Sequence, residues 1–536
     1  MGKQDELENA EANMTVACPS SGSDTAPTTT AVVAPSMSDN ALLLRNAGWY
    51  LAGNVLPMVA AVIAMPQVIR IFGADRVGIL SLGLSILGLQ TVLGLGMDRA
   101  TIKLLAEVRS NTGELGTRFK TSLLLTAVVS LSVTALLAIM TPFLATTVFN
   151  VPRDLVGEAR AAFLIFSAWL LVELLSSPFA AVLMAMERFT WLTAVRTASA
   201  IGTYCVLLGG ALLGGTFPQV LVAVVGWRMV CSVMLLATSL RAAPGLWREG
   251  APDRWVAKMY LQFGRWVALY SVITPLNMNF DRIVLGVVVS AAASAYYAVP
   301  FDVLFRLSVV PAAWAMAIFP RLSAMGRAEP GNIGKICRLS LEFILLTVWP
   351  VLITVLLFGT DLLRLWVGDD FAAHSGTAAK ILALGLMVGV VKPVFWSVIE
   401  GNGRPDLLAK LYLVEGVANV AVVYVLVRGL GVEGAAVSFA VRTLAETGIV
   451  AWMARGVAGL RKRDLWDSEV RRVLVVLGSL TIAAAGTRSL GTGVTQVIAL
   501  CAVFCAFLVA VWAWVWSEET KGTLLRALLP RTVGGR

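Results

Sequence analysis

Asp281 and Arg282 stand side by side in the stretch TPLNMNFDRIVLG, residues 274–286, inside a long apolar run. The nearest charges are Arg265 before them and Asp302 after them. On insertion scales a charge facing lipid costs about 2.5–3.5 kcal/mol. An acid and a base at this position therefore need a water-filled cavity or partners on other helices. Successive residues point about 100° apart on a helix, so the two are not each other's natural partners. Tyr270, Thr274, Asn277 and Asp281 recur at i, i+4, i+7 and i+11, which puts four polar groups on one helical face. That stripe reads as a cavity wall, with Tyr270, Thr274 and Asn277 against substrate and Asp281 in ion coupling. The competing reading is that Asp281 and Arg282 only lock helices together.

Other charges sit in equally apolar surroundings. Asp302 and Arg306 lie one turn apart and can share a face, where they can neutralise each other. Lys392 precedes Pro393, and Glu400 follows; proline frees a carbonyl and permits a kink. Arg282, Arg306 and Lys392 are the candidates for holding an anion through charge-assisted hydrogen bonds. Glu173 lies in mid-helix with no base near it in sequence, which makes it a candidate for a proton- or sodium-linked site. Arg228 and Arg442 read as snorkelling or end-anchoring cations.

Catalysis has no support. The chain contains no GxxxxGK[ST] phosphate loop, no HExxH and no GxSxG. His374 is the only histidine, the cysteines lack metal-ligand spacing, and no cofactor is expected. The expectation is a protein that is not an enzyme.

The elements that must position these groups follow from composition. Of 536 residues, 58% are hydrophobic and 14% charged, where soluble proteins average about a quarter charged. The formal charge of +10 comes from bases clustered between apolar runs, a topology signal rather than a nucleic-acid footprint. Spanning-length stretches appear near 46–69, 77–97, 121–143, 161–185, 190–213, 217–240, 262–289, 295–319, 339–358, 376–399, 407–427, 432–454, 470–486 and 491–516. The expected fold is all-α, a polytopic membrane protein of about 14 transmembrane helices. With the start of the chain placed in the cytoplasm, inside loops hold 24 Lys and Arg and outside loops 8. This bias places both termini in the cytoplasm. Residues 1–40, rich in Ser, Thr, Ala and Pro, read as a disordered cytoplasmic tail, and 517–536 as a basic cytoplasmic one. The short outside loops weigh against an integral-membrane glycosyltransferase or polymerase.

Residues 46–81 align on 263–298 at an offset of 217, with Trp49 on Trp266 and the turn FGADRVGILS on VSAAASAYYA. The expected organisation is two six-helix bundles, 41–240 and 259–455, plus two further helices within 469–516. Six is an even number, so the repeat is parallel, and transporters commonly bind substrate between such halves.

The block from NAGWYLAGNVLPM to TIKLLAE, residues 46–107, resembles the first two helices of bacterial polysaccharide flippases. The block DRIVLGVVVSAAASAYYAVPFDVLFRLSVVPAAWAMAIFPRLS, residues 281–323, resembles their seventh and eighth. That family shares a superfamily with lipid II flippases and multidrug and toxin extrusion antiporters. The resemblance implies two bundles around a V-shaped cavity and alternating access. It implies an undecaprenyl-diphosphate-linked oligosaccharide as substrate, carried across the bacterial cytoplasmic (inner) membrane, with membrane lipids, a polysaccharide polymerase and export machinery as further partners. The long N-terminal tail departs from the family pattern. The alternative is an ion-coupled drug antiporter of the same superfamily, for which an acidic cavity is expected; the buried cations here argue against it.

Overall fold

The computed structural model describes residues 37–94, 97–108, 111–247, 249–261, 273–325, 330–461, 464, 467–490 and 494–515. Every regular element among them is helical, so the all-α, multi-pass architecture expected from hydropathy is the one adopted. The first half runs α1 (Met37–Gly88), α2 (Gln90–Leu93), α3 (Met97–Ala106), α4 (Thr112–Phe143), α5 (Val156–Ala185), α6 (Phe189–Leu212) and α7 (Phe217–Ala242). The second runs α8 (Ile273–Val288), α9 (Ala291–Phe305), α10 (Val309–Met325), α11 (Pro330–Val367), α12 (Asp369–Gly389), α13 (Lys392–Gly401) and α14 (Pro405–Ala458). A last pair follows, α15 (Ser468–Gly486) and α16 (Val494–Ala510).

Among the described residues ten helices are long and apolar enough to cross a bilayer, against the fourteen expected. Two of the ten each contain a break. Helix α14 has 54 residues, about 80 Å at 1.5 Å per residue, far beyond a hydrocarbon core of about 30 Å. It breaks at Gly431, φ 58° and ψ −129°, between the expected spans 407–427 and 432–454. A side chain is strained in that conformation, so glycine reverses the chain there. Helix α1 breaks likewise at Gly73, φ 79° and ψ 167°. The expected span 262–289 is described only from Ile273, and the apolar run in α16 is shorter than a full crossing. Met37–Asn40, expected in the tail, already belong to α1; the rest of that tail, and the C-terminal one, lie outside the described residues.

Proline sets a further break. Helix α12 stops at Gly389 and α13 begins at Lys392, with Pro393 at its start, where the missing N–H costs no helical bond. Between α9 and α10, Arg306–Ser308 form a single 3-10 turn.

By contacts the chain divides into residues 1–49, whose described part is helical, and residues 50–536. Within 50–536, one apolar core runs through α1 and α4–α7, anchored by Phe72, Phe163, Phe166 and Phe217. A second runs through α8–α14, around Tyr297, Phe301, Phe395 and Phe439. Helix α15 packs on α11 through Val473, Leu477 and Leu480 against Leu345 and Ile353. The halves touch where Gly78 lies against Ala291: a Cβ on Gly78 would fall 1.9 Å from the Ala291 carbonyl oxygen. Nearby, the Asn150 side chain donates to the Val287 carbonyl at 2.9 Å.

Candidate functional site

Neither Asp281 nor Arg282 faces lipid; their exposures are 1% and 6%. Ser290 accepts from the Ala293 N–H at 3.1 Å and caps α9, and the turn before it folds α9 back along α8. The pairing that results is between helices. Arg282 makes a close ion pair with Asp302 and lies over the Phe301 ring, 5.2 Å from its centroid. Asp281 accepts from the Tyr297 hydroxyl at 3.0 Å. This is what helix locking requires. Arg282, expected on a cavity wall, lies behind it, while its partner Asp302 reaches the wall.

The wall belongs to a cavity of about 290 Å³ enclosed by α1, α5, α6, α7, α9 and the end of α11. Most of its lining is apolar, including Pro57, Met65 and Leu84. Three charged side chains reach it: Arg228, Asp302 and Arg306. Two are balanced. Arg228 lies 3.5 Å from the Glu173 carboxylate, donates to the Thr203 hydroxyl at 3.0 Å and sits over the Trp169 ring at 5.0 Å. Asp302 is balanced by Arg282. Arg306 donates to the Tyr204 hydroxyl at 3.3 Å, and among the described residues no carboxylate lies within 4 Å of it. The expected pairing of Asp302 with Arg306 therefore gives way to Asp302 with Arg282, and the excess charge of the cavity is Arg306.

Lys392 stands in a second cavity of about 500 Å³, walled by Met316, Phe319, Trp396, Ser397, Glu400 and Tyr412. Its ammonium lies 2.6 Å from the Glu446 carboxylate, which also accepts from the Tyr412 hydroxyl at 2.9 Å. Lys392 is thus already neutralised by a carboxylate that is 3% exposed. The ring centroids of Trp396 and Tyr412 lie 5.2 Å apart.

The placements of the remaining expected residues differ. Glu173, which has no base near it in sequence, has one in space, Arg228. Arg228 and Arg442 are not snorkelling anchors: the first lines the cavity, and the second, its side chain 9% exposed, lies 3.6 Å from Glu415. Tyr270 lies outside the described residues, as do the side chains of Thr274 and Asn277. Sequence reasoning missed Trp169 and Tyr204, and it read Glu446 as a buried charge without giving it a partner. Trp169 precedes Glu173 by one turn, which was a usable signal; nothing in sequence ties Tyr204 to Arg306 or Glu446 to Lys392. Among the described residues no group of His, Cys, Asp and Glu is arranged to hold a metal ion.

Three comparisons bear on this arrangement. The model of the family described as polysaccharide biosynthesis protein matches residues 43–325. A Shigella flexneri protein with the provisional name O-antigen transporter is 23% identical over 414 residues, 77% of this chain and 97% of that one. In structure, the chain is similar to the lipid II flippase MurJ in an inward closed conformation, with TM-score 0.68 and 12% identity, covering 91% of this chain and 100% of that one. It is also similar to an inward-facing multidrug resistance transporter of the MATE family, with TM-score 0.61 and 12% identity, covering 76% and 94%. These likenesses establish the fold as that of multi-pass membrane transporters.

Proposed function

This chain belongs to the polysaccharide biosynthesis protein family, and we propose that within it the protein is a flippase. It moves lipid-diphosphate-linked oligosaccharide units from the inner to the outer leaflet of the bacterial cytoplasmic membrane by alternating access, for surface or exopolysaccharide assembly. The observation that carries this reading is Arg306, a cation on an apolar cavity wall with no carboxylate beside it among the described residues. A diphosphate cannot cross hydrocarbon unaided. A guanidinium held in a low-dielectric cavity offers it paired, charge-assisted hydrogen bonds. The names of the Shigella relative and of the lipid II flippase agree with such a substrate.

The antiporter alternative takes organic cations, and the excess charge in this cavity repels them. In the flippase reading both termini lie in the cytoplasm, in keeping with the Lys and Arg bias between loops. A polysaccharide polymerase and export machinery then receive the lipid-linked unit on the far side.

A deletion strain tests the reading. It should stop making surface polysaccharide yet accumulate lipid-linked units on the cytoplasmic leaflet. Normal export without a redundant transporter would sink the proposal; so would loss of the precursor itself, which points to an enzyme.

A further inference from the structure

The two cavities carry opposite excess charge. In the first, Arg228 and Asp302 are balanced and Arg306 is left over. In the second, Lys392 is neutralised by Glu446. Glu400 is exposed on its wall, and among the described residues no base is paired with it. Around Glu400 stand Trp396 and Tyr412, ring beside ring, and the hydroxyl of Ser397. An aromatic face, a free carboxylate and a hydroxyl on an otherwise apolar wall suit a ligand rich in hydroxyl and C–H groups, and they repel an anion. The volume of about 500 Å³ falls within the range of roughly 300–1,000 Å³ usual for small-ligand sites.

The cavities also share a span. Arg306 opens the 3-10 turn that joins α9 to α10, and Ala312, Ala315, Met316 and Phe319 of α10 line the second cavity. Three residues at about 2.0 Å each through the 3-10 turn and three at about 1.5 Å each in α10 put its nearest wall about 10 Å along the span from Arg306. That is within reach of the first sugars of a chain whose diphosphate sits at Arg306.

We propose that this second cavity is the saccharide subsite of the transporter, with Trp396 as the platform for a sugar ring and Glu400 and Ser397 as partners of its hydroxyl groups. The sugar it takes is neutral or amine-bearing, not acidic. This rests on the flippase reading and assigns the glycan to one place within it.

The test is equilibrium binding to the full-length protein in lipid nanodiscs. Two probes are used: undecaprenyl diphosphate, and the undecaprenyl-diphosphate-linked saccharide extracted from a strain lacking this gene. The native protein should hold the saccharide-bearing lipid about tenfold more tightly, the effect of about 1.4 kcal/mol. Trp396→Ala and Glu400→Gln should cut that preference to about threefold or less while holding undecaprenyl diphosphate as the native protein does. Trp396→Phe, which keeps a ring, should retain most of it. Arg306→Ala should weaken both lipids alike. Full preference retained in Trp396→Ala and Glu400→Gln overturns the subsite, as does equal binding of the two lipids by the native protein or a loss of both in these variants. An extracted saccharide whose first sugars are acidic overturns the charge argument. A native protein that binds neither lipid overturns the flippase reading instead.

Discussion

The indole N–H of Trp366 donates to the carbonyl oxygen of Val62 at 2.7 Å, across 304 residues of sequence. In a helix that carbonyl would accept from residue 66, and residue 66 is proline, which has no N–H. A side chain from the end of α11 thus satisfies the acceptor that Pro66 leaves open in α1, and Val62 and Trp366 both line the Arg306 cavity. The bond ties the two halves together at the site.

Trp366→Phe keeps the ring and removes the donor. Leaving a part-buried carbonyl unsatisfied costs about 1–3 kcal/mol, read as a lower thermal midpoint of the purified protein. Pro66→Ala supplies the helical N–H, so in that background the same Trp366→Phe change should cost much less. Strictly additive costs would show that the Val62 carbonyl is not the shared partner.

Asp302→Ala strands Arg282, whose side chain is 8% exposed. Breaking a fully buried pair costs about 3–5 kcal/mol; with Asp302 itself 48% exposed, the expected loss is about 1–3 kcal/mol. Replacing both, Arg282→Leu with Asp302→Ala, should recover part of it. A double variant less stable than Asp302→Ala in a urea or thermal titration would contradict the locking role.

Lys392→Met leaves the Glu446 carboxylate, 3% exposed, without its cation. The expected loss is about 3–5 kcal/mol, and Lys392→Met with Glu446→Gln should return most of that stability. If Lys392→Met folds as stably as the native chain, the ion pair is not what holds α13 to α14.

Arg306→Ala should behave in the opposite way. Its one described partner is a hydroxyl, so stability should change by about 0.5 kcal/mol or less while polysaccharide export in cells collapses. Arg306→Lys keeps the charge but loses the planar fork, and should export at an intermediate rate. Export at the native rate by Arg306→Ala would remove this residue from the transport cycle.

Topology has a direct reporter. Alkaline phosphatase fused after residue 530 should be inactive, and inserted at Gly368 it should be active. Reversed activities would overturn the orientation read from the loop charges.

Much of this was legible in the sequence because hydropathy and charge bias are local and repeat along the chain. The interruption at Pro393 and the turn before Ala291 fall where their residues place them. The partners of the charges were not legible. One-turn spacing favours Asp302 with Arg306, yet the α8–α9 turn brings Arg282 to Asp302, and Arg306 falls where α9 passes into a 3-10 turn. Glu173 looked unpaired because its cation comes from α7, 55 residues on. A repeat in helix content says nothing about which side chains meet between helices.

The reversals at Gly73 and Gly431 have a consequence for how the surface can be probed. Proteases nick at exposed loop tips, where a stretch of chain can be drawn into the enzyme. A helix that turns back on one glycine presents no such stretch. Proteinase K added to whole cells or right-side-out vesicles should therefore leave residues 405–458 as one uncut fragment, however long the digestion, and antibodies raised against a linear peptide centred on Gly431 should find nothing to grip until the protein is denatured.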